Sequence, residues 1–588
     1  MSSITEDQCT DSKEDSSSEH LILSAIIGDV MYLHQAMQQP DKEEFIKAMV
    51  REIDTHEKRK HWKIVPMKEV PKNVKVLDSI WAMRRKRKIG TGEISKYKAR
   101  LNAHGGQQEM GINYWETYAP VVMWTTIRLI ITLATIQGWP SRQLDFVLAY
   151  PQAEVDVDIY MKLPKGFEIP NSQGKEKHCL KLLKNIYGLK QAGRVWNTHL
   201  HKGLIKLKYS QSKRDPCLYY RKDTLLAIYI DDCILIAKTN KLIEDAIREI
   251  SENFEITDEG KVDEYLGVKV EKLKDNRIKM SQPYLIDQIL QGMGFNDRTK
   301  VKKTPAVSSK ILHRDEEGEE MQTEWEYRRV IGQLNFLEKS TRPDIAYAVH
   351  QCARFSSNPK ESHKKAVLRI GRYLVDTRTQ GIIFEPTNTA LELWCDADFS
   401  GNWKAETAHI DRTTAKSRTG YIIRYAGCPL AWASKMQTET ALSTTEAEFI
   451  ALSEGLRTVI PIMELMEEMH EQGVSIAKSQ PEIRCKVFED NSGALTIATL
   501  PKIRPRTKYI NTKYWHFREH MEQGKVTIHP VSTKDQIADL LTKPLPESEF
   551  ERLKQRIMGV EQGYVRTNLK GSVEINEEKL VPGDEKRE

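Results

Sequence analysis

Leu225-Leu226-Ala227-Ile228-Tyr229-Ile230-Asp231-Asp232-Cys233-Ile234-Leu235-Ile236-Ala237 sets two adjacent acids between two short apolar runs. Charged residues bound the pair, with Arg221, Lys222 and Asp223 upstream and Lys238 downstream. The pattern predicts two buried strands joined by a two-residue turn, a β-hairpin with Asp231-Asp232 at its tip. Neighbouring carboxylates fixed on rigid strands repel one another, and an oxygen-rich site of this kind suits Mg²⁺. Asp is also a common turn residue. From these residues alone the stretch reads first as an ordinary turn, and the rest of the chain must decide.

The chain has 588 residues, enough for two to four domains with sizeable cores. Hydrophobic content of 39% and charge of 29% are expected of a soluble globular protein. The net charge of +6 is mild, so affinity for a polyanion must come from local clusters. The eight cysteines form no Cys-x-x-Cys pair, so neither a zinc knuckle nor a disulfide framework is indicated, and a reducing compartment fits. The longest apolar stretch, 127–139, is interrupted by polar residues and too short to span a bilayer. No signal peptide opens the chain.

Outward from the hairpin, residues 1–19 are rich in Ser, Asp and Glu and read as a disordered arm. Phe45, Met49 and Ile53 recur every four residues, which predicts an amphipathic helix over 41–57. Strands are predicted at 62–66, 74–83 and 94–103. Between the last two lies Arg84-Arg85-Lys86-Arg87-Lys88, followed by Gly90 and Gly92. This mobile positive finger reads as a phosphate contact, a solvated loop or a nuclear-import signal. A helix is predicted at 127–136. Gln143-Leu144-Asp145-Phe146-Val147 reads as a strand with an acid inside an apolar run. Unless Asp145 sits at a frayed strand end, it needs a metal or a cationic partner. Helices are predicted at 180–206, 241–252 and 281–294, and a mostly helical connector at 325–380 in which Thr341-Arg342-Pro343-Asp344 restarts a helix.

A new alternation begins at Leu391, with a strand ending at Asp396 and Asp398 and a hairpin around Ala426-Gly427-Cys428-Pro429. Ser443-Thr444-Thr445-Glu446 is a capping box opening a helix that carries Glu448, and Pro461 should end or kink that helix. A strand at 485–488 runs into Glu489-Asp490. Another spans 525–531, followed by a short helix at 534–541 carrying Asp539. Residues 565–588 are charged and read as disordered.

Several blocks now stand in one order: YKARLNAHG at 97–105, YWETYAPVV at 114–122, QLDFVLAYPQAEV at 143–155, IYGLKQAGRVW at 186–196, YIDD at 229–232 and YLGVKV at 265–270. STRPDIAYAV at 340–349, CDADF at 395–399, RTGY at 418–421, STTEAEF at 443–449, EDNSGAL at 489–495 and ADLLTKPL at 538–545 follow. Over roughly residues 40 to 546 the chain resembles the reverse transcriptase–ribonuclease H portion of a copia-type LTR retrotransposon polyprotein. The resemblance implies an α+β and α/β multidomain protein. A right-hand polymerase of fingers, palm and thumb (40–300) would follow an N-terminal arm (1–39). A helical connection (301–388), a ribonuclease H-like α/β domain (389–546) and a partly disordered tail (547–588) would complete it.

The resemblance also implies site residues. Asp145, Asp231 and Asp232 would hold two Mg²⁺ or Mn²⁺ ions about 4 Å apart for in-line phosphoryl transfer, with Asp232 the weaker ligand. Tyr150 would act as a steric gate against a 2′-hydroxyl. Lys86 and Arg100 would hold the triphosphate, Arg100 the better through its planar fork, and Gln191 would lie beside the sugar and template base. Asp396, Glu448, Asp490 and Asp539 would form a second two-metal site that cleaves RNA paired with DNA. His529 reads as a proton shuttle or a surface histidine. The family's usual pattern is departed from at Pro151-Gln152-Ala153, Gly193, Gly105-Gly106, Trp515 and Pro461. Implied partners are an RNA template, a DNA primer, the RNA–DNA hybrid and deoxynucleoside triphosphates, with no membrane. Fusion to or association with integrase and capsid proteins is implied as well. The implied location is a cytoplasmic virus-like particle, with a nuclear stage. The alternative is a decayed or domesticated relative that binds nucleic acid without catalysis. No protease, integrase-zinc or zinc-knuckle motif occurs, so the chain reads as one piece of a longer polyprotein or a truncated copy.

Overall fold

The computed structural model describes residues 30–559 apart from 89–92, 168–176, 297, 309–310, 323–324, 407, 410, 475–482 and 500–515. The two terminal stretches read as disordered, the glycines of the basic finger and Trp515 lie outside the described residues. Among the described residues, five sheets and the helices between them make a mixed α/β protein. Among the described residues no helix is long and apolar enough to cross a membrane.

The basic finger is a regular hairpin, Ser79–Arg87 against Ile94–Ala103. Its register pairs Arg84 with Lys98 and Ala82 with Arg100. Because directly opposed residues share a face, Arg84, Lys86, Lys98 and Arg100 project to one side. Met83, Ala99 and Leu101 are buried on the other, and Phe45 of the Lys42–Lys58 helix packs edge-on to Tyr97 at 5.1 Å. Arg85, on this inner side, is pinned by two bonds to Asp41 at 2.7 and 2.8 Å.

Behind the finger lies a six-stranded sheet in the order 256–260, 141–146, 232–237, 224–229, 218–221, 210–211. Its central strands, Thr224–Tyr229 and Asp232–Ala237, are buried almost throughout, as their Ile/Leu content requires. The turn between them is Ile230-Asp231, so Asp232 opens the second strand rather than sharing the tip. The one-residue offset comes from the backbone. Ile230 takes a positive φ of 60°, which places the turn one residue earlier than a pattern of apolar runs can show.

The helix expected over 180–206 exists only as Ala192–Lys206. His178–Leu182 is instead a strand between Trp62–Pro66 and Tyr160–Lys162. The linking loop turns at Gly188, φ +90°, and the spacing of Leu182, Ile186 and Leu189 mimics a helical face. Val74–Met83 is interrupted, with Val76–Leu77 and Ser79–Arg87 in different sheets.

The connector helices Tyr327–Ser340, Ala346–Ala353 and Glu361–Asp376 join the two halves. Arg342 and Asp344 form a fully buried bidentate pair, both bonds 2.8 Å, and Thr377 and Tyr373 satisfy the remaining positions. Asp344→Asn would leave a buried guanidinium short of its counter-charge. It is expected to cost about 3–5 kcal/mol, read as a lower urea midpoint at unchanged slope. Arg128, buried on the Trp124–Gln137 helix, donates to the Leu430 carbonyl (2.8 Å) and the Ser340 carbonyl (3.0 Å) and stacks on Trp432 at 4.1 Å. It thereby ties the first half to both the connector and the last sheet.

That last sheet runs 428–436, 418–425, 391–398, 485–489, 526–530, with the first three strands antiparallel and the last two added in parallel. Chain order 3-2-1-4-5 with helices packed on it is a ribonuclease H-like α/β arrangement. The Thr444–Glu471 helix does not stop at Pro461. The proline faces solvent, while Leu456, Val459 and Ile460 before it and Ile462, Met463 and Leu465 after it are buried. That packing outweighs the roughly 3 kcal/mol a mid-helix proline costs. The helix expected at 534–541 is shorter, a 3-10 turn at Thr533–Asp535 and then Asp539–Thr542. Of residues 547–588, Glu547–Met558 is a docked helix with Phe550, Leu553 and Ile557 buried.

Candidate functional site

Two groups of acids, far apart in sequence, form on the two large sheets. In the first, Asp145 on Ser141–Phe146 lies directly opposite Asp232. Phe146 N–H donates to the Asp231 carbonyl at 2.9 Å, which ties the turn to the Asp145 strand. The turn is also braced from behind, where Trp196 Nε1 donates to the Ile230 carbonyl at 2.8 Å. Ile230 and Leu148, with φ of 60° and 49°, are non-glycine residues in the left-handed region on either side of the acids. Such positions cost about 1–3 kcal/mol each and persist where the surroundings over-determine them.

Burial and the facing acids push the Asp145 carboxyl up to about 6 and the Asp232 carboxyl up to about 7. Glu259 adds to that repulsion. A β-bulge between Asp258 and Gly260, on the strand beside Asp145, brings it there. Sequence reading missed Glu259, because a bulge is visible only once the partner strand is known.

These acids line one side of a cleft of about 1350 Å³, and Arg84, Lys86, Lys98 and Arg100 of the finger line another. Tyr150 and Tyr187 form a wall between them, ring centroids 4.7 Å apart, with the Arg100 guanidinium 3.6 Å over Tyr187. Gly188 sets this stack. Ala103 N–H donates to the Tyr187 carbonyl at 2.9 Å, and a Cβ on Gly188 would lie 2.1 Å from the Ala103 carbonyl oxygen. Gly188→Ala is therefore expected to cost about 3 kcal/mol or more, from positive-φ strain plus a backbone collision, measured by chemical denaturation. Gln191 is fully buried and bonds Gln108, whose amide donates to it at 3.0 Å, and the Asn113 carbonyl at 3.2 Å. It is not among the side chains that line the cleft.

In the second group, Asp396 sits on Leu391–Asp398, Asp490 directly follows the parallel strand Cys485–Glu489, and Glu448 lies early in the Thr444–Glu471 helix. Ser443 Oγ accepts from Glu446 N–H at 3.2 Å, starting that helix. The return bond from Glu446 reaches Leu442 N–H at 2.7 Å, one residue earlier than a capping box predicts. Carboxylate oxygens of Asp396, Glu448 and Asp490 all come within 4.8 Å of one another. Burial and mutual repulsion hold Glu448 well above the usual carboxyl range, and Asp490 is raised in the same way.

Asp539 joins from the Asp539–Thr542 helix. Gly420, opposite Asp396, lets that helix close on the sheet, since a Cβ there would lie 2.5 Å from Thr542 Cγ2. Burial and Asp396 push Asp539 up to about 8. Glu489, fully buried beside Asp490, is a further acid the sequence did not single out, and burial raises it too. Glu448 Oε2 and Glu489 Oε2 are buried without a hydrogen-bond partner. Orphaned oxygens among so many buried acids fit a divalent-cation cradle. His529, opposite Phe488 on the neighbouring strand, has its Nε2 2.8 Å from Thr527 Oγ1.

The chain is similar to known proteins over most of its length. Residues 59–308 match the family model described as reverse transcriptase (RNA-dependent DNA polymerase). The chain is 31% identical over 535 residues to the Retrovirus-related Pol polyprotein from transposon TNT 1-94 of Nicotiana tabacum, covering 89% of this chain and 38% of that protein. It is 31% identical over 527 residues to the corresponding polyprotein from transposon RE1 of Arabidopsis thaliana, covering 89% of this chain and 34% of that one. The chain thus spans little more than a third of these relatives. The Putative transposon Ty5-1 protein of Saccharomyces cerevisiae is 28% identical over 317 residues, 53% of this chain and 98% of its own length. Among solved structures, the foamy viral protease-reverse transcriptase in complex with double-stranded DNA matches with a TM-score of 0.42 and 11% identity, covering 83% of this chain and 69% of that one. The chain is thus similar over 89% of its length to Pol polyproteins of copia-type retrotransposons, and over residues 59–308 to the reverse transcriptase family.

Proposed function

We propose that this chain is an RNA-directed DNA polymerase that also degrades the RNA strand of an RNA–DNA hybrid, each activity using two divalent ions. The observation that carries the proposal is the gathering of seven acids into two separate clusters on two sheets. Asp145, Asp231 and Asp232 would hold ions in the first cluster, and Asp396, Glu448, Asp490 and Asp539 in the second, with Mg²⁺ or Mn²⁺ the fitting species. When bound, such ions neutralise the reacting phosphate and favour in-line displacement.

The protein's own groups do the rest. Arg100, already oriented by Tyr187, and Lys86 face the cleft from the finger and would hold a triphosphate. Tyr150 projects into the same space and would leave no room for a 2′-hydroxyl. Replacing it with Val is expected to raise ribonucleotide incorporation at least about 10-fold relative to deoxynucleotide, measured by competing the two on one template. Equal discrimination in Tyr150→Val would remove the gate. Gln191, buried among Gln108 and Asn113, supports the loop that carries Tyr187 and Gly188 rather than meeting the sugar.

The polymerase unit (40–300), connection (301–388) and nuclease unit (389–546) would then act on one duplex. Template, primer and deoxynucleoside triphosphates are the proposed substrates. Because its relatives are Pol polyproteins, fusion to or association with integrase and capsid, in a cytoplasmic particle with a nuclear stage, is proposed as its setting. The clustered acids weigh against a non-catalytic binding protein. The test is primer extension on poly(rA)·oligo(dT) by the full chain with MgCl₂. Extension supports the reading, and its absence alongside intact folding contradicts it.

A further inference from the structure

In the second acid cluster one cation is built in. Lys543 Nζ lies 2.8 Å from Asp539 Oδ1 and 3.8 Å from Asp396 Oδ2. Its side chain is 34% exposed and reaches from the rim to two carboxylates that are 3–4% exposed. Among the described residues no other basic side chain comes within 4.0 Å of Asp396, Glu448, Asp490 or Asp539. Thr542 Oγ1 donates to the same Asp396 Oδ2, so residues 542 and 543 together occupy the Asp396–Asp539 half. The other half differs, since Asp396, Glu448 and Asp490 converge within 4.8 Å of one another with no basic group among them, and Glu448 Oε2 has no partner.

We infer that Lys543 is a tethered cation that holds the Asp396–Asp539 half of the cluster closed, so that a divalent ion reaching that half must displace its ammonium. The inference rests on the nuclease reading and deepens it. The two halves present different costs to an incoming ion. At Asp396–Glu448–Asp490 it meets acids whose repulsion it relieves. At Asp396–Asp539 it must first break a short ion pair whose charge already answers part of that repulsion. The half held by Lys543 is the weak site, and the lysine's four-carbon stem lets it swing to the rim without moving the backbone. Lys543 is thus a positioning residue that sets the order and affinity of ion loading.

Calorimetric titration of the full chain with MnCl₂ tests this, in an Asp145→Asn/Asp231→Asn background so that the first cluster is silent. The wild-type second cluster is expected to show one tighter and one weaker binding step. In Lys543→Met the weaker step is expected to tighten at least about 10-fold, near 1.4 kcal/mol. The metal-free melting temperature should fall by several degrees, and saturating MnCl₂ should raise it more than in wild type. Equal Mn²⁺ affinities and equal thermal shifts in the two proteins would overturn the inference. If Lys543→Met does not fold without metal, recovery of the fold by MnCl₂ supports it and failure to recover overturns it. Asp490→Asn separates the two readings. Loss of Mn²⁺ binding there, with Lys543→Met unchanged, defeats the tethered-cation inference alone. Unaltered binding in Asp490→Asn defeats the nuclease site itself.

Discussion

Asp231→Asn is expected to lower deoxynucleotide incorporation on an RNA template at least about 10³-fold, close to 4 kcal/mol of barrier, while RNA–DNA hybrid cleavage by the same protein stays within about twofold. The size follows from where the residue sits. Asp231 is the half-buried end of a turn held from behind by Trp196 and from the side by Phe146 N–H. Asn keeps the turn's shape and removes one negative charge from the proposed cation-binding face. Asp145 and Asp232 remain, with carboxyls pushed up to about 6 and 7, but two acids offer fewer oxygen ligands and less charge to a pair of divalent ions than three. A variant incorporating at the wild-type rate would remove Asp231 from the site. A variant that lost both activities would mean that the two halves share one functional unit rather than two.

Glu448→Gln is expected to do the converse. Hybrid cleavage should fall at least about 100-fold with polymerisation retained, and the metal-free protein should become more stable at pH 7.5 by about 0.5–2 kcal/mol. The sign follows from linkage. Glu448 is held well above its ordinary value of 4.5 by burial and by Asp396, Glu489 and Asp490. Above pH 4.5 the folded state therefore binds a proton that the unfolded chain has released, and stability falls as pH rises through that window. Gln removes the charge and its cost, so the advantage should be largest at neutral pH and vanish below about pH 4.5, where wild-type Glu448 is protonated in both states. Melting curves at pH 4 and 7.5 without divalent ions read this directly. A Gln variant less stable than wild type at pH 7.5 would mean that Glu448 makes an ion pair or hydrogen bond that the wild-type structure does not show.

Much of the fold could be read from the chain because its strands are buried runs with abrupt charged ends. Leu225–Ala237 and Leu391–Asp398 declare themselves by composition, and the acids that matter lie where those runs stop. What escaped reading depends on backbone geometry or on partners distant in sequence. The Ile230-Asp231 turn hinges on one positive φ. The strand at His178–Leu182 became visible only with its neighbours at 62–66 and 160–162. Pro461 stays helical because apolar residues on both sides of it are buried. Glu259 reaches the first cluster through a bulge, and Lys543 reaches the second through a side chain four residues past Asp539. Gln191 is likewise bonded to Gln108 and the Asn113 carbonyl, partners its motif does not announce.

Anomalous diffraction from crystals of the full chain grown with MnCl₂ tests the two-cluster arrangement most directly. Manganese peaks are expected within coordination reach of Asp145, Asp231 and Asp232, and separately of Asp396, Glu448 and Asp490. Crystals showing no manganese at either cluster, at concentrations that saturate the titration, would contradict it.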